Sequence, residues 1–329
     1  LNTRNDAGSA YIFSQDQGGS NNWGQVKKIT ASDGVAGDNF GWSVSVNGDT
    51  IVVGAPTDQV TTAGRAGGAY VFNRNQGGTE NWGQVKKLTS GALGDKFGFS
   101  VSVDVDTIVV GAQSSGISAT GAIYVFGRNQ GGTENWGQVK KITGSTSLAE
   151  FGNAVAVDGD TIVAGQHNDT GINLVGAAYV FSRNQGGTNN WGQVKKLTAS
   201  DGANNDQFGE SVSVDADTIV VGAWHNNSAR GAAYVFGRNQ GGANNWGQVK
   251  KLTASDGVGG DGFGISVSVD ADTIVVGANR DNSLQGSAYV FTRNQGGTDN
   301  WGQIKRLSAS DGVANDEFGI AVTVAADTI

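Results

Sequence analysis

Cysteine and methionine are absent, and Pro56 is the single proline in 329 residues. Without cysteine the chain holds no disulfide framework, no thiolate metal site and no redox pair. It also has no run approaching the ~20 apolar residues of a membrane-spanning helix, which argues against membrane insertion. Histidine is confined to His167 and His225. Positive charge is scarce as well. The 22 Lys and Arg stand against 30 Asp and Glu, giving a net charge of −8 and a pI near 4.7. That balance argues against nucleic acid and anionic membrane surfaces as partners.

What the chain has in abundance is glycine, 54 residues, and it has it periodically. The Trp-Gly-Gln step falls at Trp23, Trp82, Trp136, Trp191, Trp246 and Trp301. Phe-Gly falls at Phe40, Phe97, Phe151, Phe208, Phe263 and Phe318, and Asp-Thr-Ile at Asp49, Asp106, Asp160, Asp217, Asp272 and Asp327. Self-similarity at a fixed period marks a repeat architecture, here six copies of about 55 residues. Each copy reads as four strands by alternation and β-branched enrichment: FGWSVSV, DTIVVGA, GAYVF and WGQVKKLT in the copy from Phe40 to Thr89. The second is apolar throughout, as a strand covered on both faces should be. The turn between the first two is tight, and the Gly-Gly pair after the third supplies positive φ.

Four antiparallel strands per copy suit a propeller blade better than a solenoid coil. The expected fold is therefore all-β, a six-bladed β-propeller spanning residues 1–329 as a single domain. The tail ends in Asp-Thr-Ile and the head enters before its third strand, so the closing blade is expected to be shared between the N- and C-termini. The Phe40-Gly41 pair followed by Gly54-Ala55-Pro56 resembles the FG-GAP repeat, the blade unit of the integrin alpha-chain propeller and of many bacterial secreted proteins. Later copies keep Phe-Gly and Gly-Ala or Gly-Gln but not the proline. The resemblance implies an extracellular or cell-surface protein, bacterial in origin, in a family that contains adhesion receptors and carbohydrate-associated proteins. Fold alone does not carry function.

Many relatives of this kind carry a calcium loop between strands one and two. Here that turn is only Asn47-Gly48-Asp49, Asp104-Val105-Asp106 and their counterparts, too short to wrap 6–8 oxygen ligands around an ion. No cofactor is expected. A second place for calcium is the loop before Phe-Gly, with paired carboxylates at Asp33 and Asp38, Asp201 and Asp206, Asp256 and Asp261, and Asp311 and Asp316. The same pairs also read as turn and strand caps. The repeated tryptophans read either as a sugar-stacking platform or as packing at the start of strand four. The Lys-Lys pairs on that strand read as protection of an exposed edge, and the arginines from Arg74 to Arg293 as local partners of the Asp-x-Asp turns.

Function is sought where copies differ. The second residue after Phe is Trp42, Phe99, Asn153, Glu210, Ile265 and Ile320. The loop from strand two to strand three varies most, and it brings His167, Trp224, His225 and Arg230 into adjacent copies. These residues, with Trp42, Phe99, Asn153 and Glu210, form the candidate ligand site. The expected function is non-catalytic binding or adhesion to a glycan or a surface protein. An alternative is a structural subunit of a surface layer or filament, in which the partners are other copies of the chain. A polysaccharide-acting enzyme is the third reading, with Glu210, His167 and His225 as its acid–base set, and no catalytic signature such as GxSxG supports it.

Overall fold

The computed structural model describes residues 7–61, 64–90, 92–115, 120–146, 148–168, 175–326 and 328–329. Asp327 and parts of three strand-two-to-three loops lie outside them. The chain divides into two compact units, Leu1–Ser145 and Thr146–Ile329. In the first unit, β1 (Ala10–Ser14) pairs with β2 (Gly24–Ile29). A sheet follows of β3 (Ser43–Asn47), β4 (Thr50–Ala55), β7 (Gly68–Asn73) and β8 (Gly83–Leu88), with the small ribbon β5 (Gln59–Thr61) and β6 (Gly64–Arg65) in its loop. The unit ends with β9 (Phe97–Asp104), β10 (Thr107–Ala112), β11 (Ala122–Gly127) and β12 (Gly137–Thr143).

The second unit holds three more four-stranded sheets. They are β13 (Val155–Asp158), β14 (Thr161–Gln166), β15 (Ala177–Ser182) and β16 (Gly192–Leu197); then β17 (Val212–Asp215), β18 (Thr218–Ala223), β19 (Ala232–Gly237) and β20 (Gly247–Leu252); then β21 (Ser266–Asp270), β22 (Thr273–Ala278), β23 (Ser287–Thr292) and β24 (Gly302–Leu307). All strand pairs are antiparallel, in the expected up-and-down order. The head copy differs: β1 and β2 form a two-stranded sheet, and the described tail holds an Ala325–Thr328 bridge.

The sequence accounts for the elements. Hairpins between strands one and two turn on one residue at positive φ, Val105 at 43° and Ala271 at 48°, so that the turn twists with its strands. Strand two is buried along its whole length because it is sandwiched between neighbouring sheets. In the second unit, Val163 and Val180 from one sheet meet Val214, Ile219, Val221, Tyr234 and Phe236 of the next. The core is this series of sheet-to-sheet layers.

One expectation about strand one is corrected. In the second unit it starts three or four residues after the Phe, at Val155, Val212 and Ser266. There the Phe-Gly step stands outside the ladder because it joins sheets to each other, whereas in β9 strand one begins at Phe97 as expected, with Phe97 paired to Ala112. Phe263 is fully buried, its ring edge-on to Tyr289 (5.5 Å) and Phe291 (6.0 Å), while its backbone forms a parallel bridge to Gly231 of the preceding copy. A Cβ on Gly231 would lie 2.0 Å from the Phe263 carbonyl oxygen, and one on Gly222 2.0 Å from the Gly264 oxygen. Only glycine permits that approach.

Phe263→Ala should therefore lower unfolding stability by about 3–5 kcal/mol, and Gly231→Ala, with backbone in its way, should prevent a folded second unit. Val105→Gly, at a positive-φ turn, should hold or raise stability. Denaturant unfolding followed by circular dichroism checks all three, and an unchanged midpoint for Gly231→Ala would refute the close-approach account.

Candidate functional site

The position after Gly-Ala opens the loop from strand two to strand three, and it carries Pro56, Gln113, His167, Trp224 and Asn279. At each of the last four, one buried atom has no hydrogen-bond partner: Gln113 Oε1, His167 Nδ1, Trp224 Nε1 and Asn279 Oδ1. Buried polar groups in folded proteins are otherwise nearly all paired. Asp58 Oδ2, Arg74 Nε and His167 Nδ1 sit in ion pairs with Lys87, Asp49 and Glu210, so the further atoms without a partner are Asn153 Oδ1 and Arg230 Nε. Both belong to the residues that vary between copies.

His167 is the most tightly held of the candidates. Its Nε2 lies 2.9 Å from Glu150 Oε2, and its Nδ1 lies 2.9 Å from Glu210 Oε2 but off the hydrogen-bond direction. Glu150 precedes Phe-Gly in the same copy, and Glu210 follows it in the next. Burial alone would lower the imidazole pKa, but the two carboxylates outweigh it and hold it at about 9. His167 is thus an imidazolium at neutral pH and has no lone pair to serve as a base. Asn153 Nδ2 donates to the backbone oxygens of Gly209 and Glu210, both at 3.1 Å, which fixes the Glu210 backbone.

The second group lies on the next loop. Trp224 and His225 meet edge to face, 3.9 Å between ring centroids and 68° between planes, and the Arg280 guanidinium lies 4.4 Å from the indole centroid. Asn205 Nδ2 contacts His225 Nδ1 at 3.0 Å, which places the ring proton of the neutral form on Nε2. Burial and then the Arg280 charge lower the His225 pKa, against a smaller pull upward from Glu210, so this ring is neutral. The loop continues through Asn227, Ser228 and Ala229 at φ of 53°, 59° and 59°, a left-handed turn of three non-glycine residues. Such conformations cost energy and gather at functional sites. Asp206 anchors the loop by accepting from Asn226 Nδ2 and Ala203 N, both at 2.8 Å. Between these segments opens a cleft of about 390 Å³ lined by Asn204, Asn205, Asp206, His225, Asn227 and Ser228.

The structure thus brings together His167, Glu210 and Asn153, and separately Trp224 and His225, with Arg230 closing the same loop. The expected acid–base set is revised: Glu150, not His225, completes the His167 pair. Trp42 and Phe99 contact each other at 5.6 Å in the first unit. Sequence reasoning missed Asn205, Asn279 and Arg280, whose only signal was divergence from the other copies.

Repeated residues prove to be built into the blades. Five of the repeated tryptophans are buried under an arginine, as Trp246 is under Arg238 at 4.6 Å, while Trp23 is exposed. Arg183, Arg238 and Arg293 pair with Asp160, Asp217 and Asp272 at 2.5–2.6 Å. The lysine pairs are not free edge charges: Lys250 reaches Asn300 of the next copy at 2.7 Å, and Lys251 binds Asp201 (2.6 Å) and Asn226 (2.9 Å). Of the paired carboxylates, Asp33, Asp201 and Asp256 accept from Tyr70, Tyr234 and Tyr289, while Asp38, Asp206, Asp261 and Asp316 accept backbone N–H groups within their own loops. No group of three or more His, Asp or Glu among the described residues is arranged to hold a metal ion.

A family model described as FG-GAP repeat matches residues 23–72, 82–126, 136–181, 191–236, 246–291 and 301–329. No curated protein matches the sequence. Among the described residues, no helix is long and apolar enough to cross a membrane.

The His167 geometry fixes a pH response. Its folded pKa of about 9 lies above the ordinary 6.5, so its contribution to stability is complete below pH 6.5 and is lost as pH rises through 9. Melting temperature should fall over that window in the native protein and lose this component in His167→Gln. A parallel pH profile for the two proteins would show that the carboxylate pair does not hold the proton.

Proposed function

We propose a binding role on the premise that the chain belongs to the FG-GAP repeat family, whose β-propeller blades its four-stranded sheets are. The proposed role is that of a non-catalytic attachment module at the cell surface or outside the cell, recognising a saccharide through the cleft beside Trp224. The observation that carries this reading is the distribution of unpaired buried polar atoms. Gln113, Trp224, Arg230 and Asn279 lie in the variable loop from strand two to strand three and Asn153 beside the Phe-Gly step, while the repeated arginines, lysines and tyrosines pair with one another and with aspartates.

The cleft has the chemistry for hydroxyl groups. Asn204, Asn205, Asn227 and Ser228 each donate and accept, Asp206 accepts, and His225 is neutral with Nε2–H available. Ala203 and Ala229 complete the lining. Concave sites with a few convergent polar groups are the usual form of a small-ligand site. The absence of catalysis is part of the proposal, supported by His167 being held as a cation between Glu150 and Glu210. Binding without a metal is also proposed, because the loop carboxylates that would supply oxygen ligands are bonded to tyrosines, lysines and backbone amides.

A screen of immobilised glycans with the purified protein tests the reading. Binding is expected, and Asn205→Ala with His225→Ala should reduce it at least ~10-fold, the loss of one or two hydrogen bonds, at unchanged melting temperature. Failure to bind any saccharide, together with ordered assembly through the exposed Asn-Gln-Gly-Gly loops, would replace it with the structural-subunit role. Cleavage of a bound polysaccharide, lost in Glu210→Gln, would replace it with an enzyme. Melting temperature should be the same with and without EDTA, and a large fall on chelation would overturn the metal-free proposal.

A further inference from the structure

Lys251 of β20 reaches past β19 to Asn226, in the loop between β18 and β19. Its Nζ lies 2.9 Å from Asn226 Oδ1, 2.6 Å from Asp201 Oδ2 and 5.3 Å from the Tyr234 ring centroid. Asn226 is 6% exposed, and its Nδ2 donates to Asp206 Oδ2 at 2.8 Å. Asp206 is 3% exposed and is itself held by Ala203 N at 2.8 Å. An amine therefore sits at the oxygen of a buried side-chain amide, and a buried carboxylate sits at its nitrogen. That is the arrangement an acyl transfer needs: a nucleophile, a carbonyl, and a proton carrier at the leaving group.

We infer that Lys251 and Asn226 join in an isopeptide bond, with Asp206 carrying the proton to the leaving nitrogen. Lys251 gives one proton to Asp201, and the neutral Nζ attacks Cγ of Asn226. Asp206 takes a second proton from Nζ and passes it to Nδ2. The Cγ–Nδ2 bond breaks and ammonia leaves, taking up the proton that Asp201 held. A lysine ammonium and a primary amide thus become a secondary amide and an ammonium ion, and no oxidant, metal or further reactant enters. The fold supplies the proximity that two such groups lack when free in solution.

Other copies fill the same two positions differently. They hold Arg306 with Asp281 and Lys87 with Asp58, both ion pairs. Only where lysine meets asparagine beside a buried carboxylate does the pair contain an amide that can release ammonia. The bond ties the loop of Trp224 and His225 to the outer strand of its own sheet. In a chain without cysteine it constrains the unfolded state as a disulfide would, and reducing agents leave it intact.

Intact mass spectrometry of the full chain reads the bond directly. The native protein should be lighter than its sequence by one ammonia, and a protease digest should contain the Asn226 and Lys251 peptides joined. Lys251→Arg is compatible with the fold, because Arg306 occupies the equivalent place between Asp256 and Asp281. It should show the full mass and a lower melting temperature. Asp206→Asn keeps the side-chain shape and removes the proton carrier, so linking should be roughly 100-fold slower, with fresh protein mostly unlinked. A native mass equal to the sequence, a lost ammonia with the two peptides separate, or a loss that persists in Lys251→Arg overturns the bond. Linking at the native rate in Asp206→Asn overturns the role given to Asp206.

Discussion

The structure depends on how closely one sheet's backbone can approach the next. Gly222 and Gly231 of one copy meet the Phe-Gly step of the following copy at distances where a Cβ would sit 2.0 Å from a carbonyl oxygen. With the backbones that close, the Phe263 ring drops edge-on against Tyr289 and Phe291, and strand two is sealed between layers of valine. The glycine richness of the chain follows from this. So does the modest hydrophobic content, because each layer is thin and one Phe per copy closes it.

That constraint divides the residues by role. Where the chain repeats itself, polar groups are spent on holding blades together: arginine over tryptophan, lysine to asparagine across copies, tyrosine to aspartate within one. Where it departs from itself, polar groups are buried and left over. An unpaired buried donor or acceptor costs about 1–3 kcal/mol, and a scaffold with so many repeated, satisfied contacts tolerates several. The left-handed turn at Asn227–Ala229 adds local strain of the same order.

The fold was largely legible because its signals are periodic and local. Alternation in Ser-Val-Ser-Val, a uniformly apolar TIVVGA and the tight Asp-x-Asp turn each name an element without reference to the others. The role of Phe-Gly was not legible in this way. A phenylalanine followed by alternating residues reads as the start of a strand, and only the parallel bridge to Gly231 shows that it belongs between sheets. The site was half legible. Divergence between copies pointed to His167, Glu210, Trp224 and His225, but pairing depends on which side chains face each other across adjacent copies, and nothing in linear spacing says that Glu150 reaches His167 while His225 does not.

Near-identical blades raise a problem of order, since any copy offers its neighbour almost the same docking surface, and a chain that folds through partly assembled states can join the wrong pair. The Glu150–His167–Glu210 contact supplies a label. A blade skipped at this point would bring Ile265 in place of Glu210 against the half-buried imidazolium, which would lose one of its two carboxylate partners. The half-buried Glu150–His167–Glu210 triad thus makes that junction recognisable among copies that are otherwise nearly interchangeable, and correct succession is written into a single side chain per neighbour.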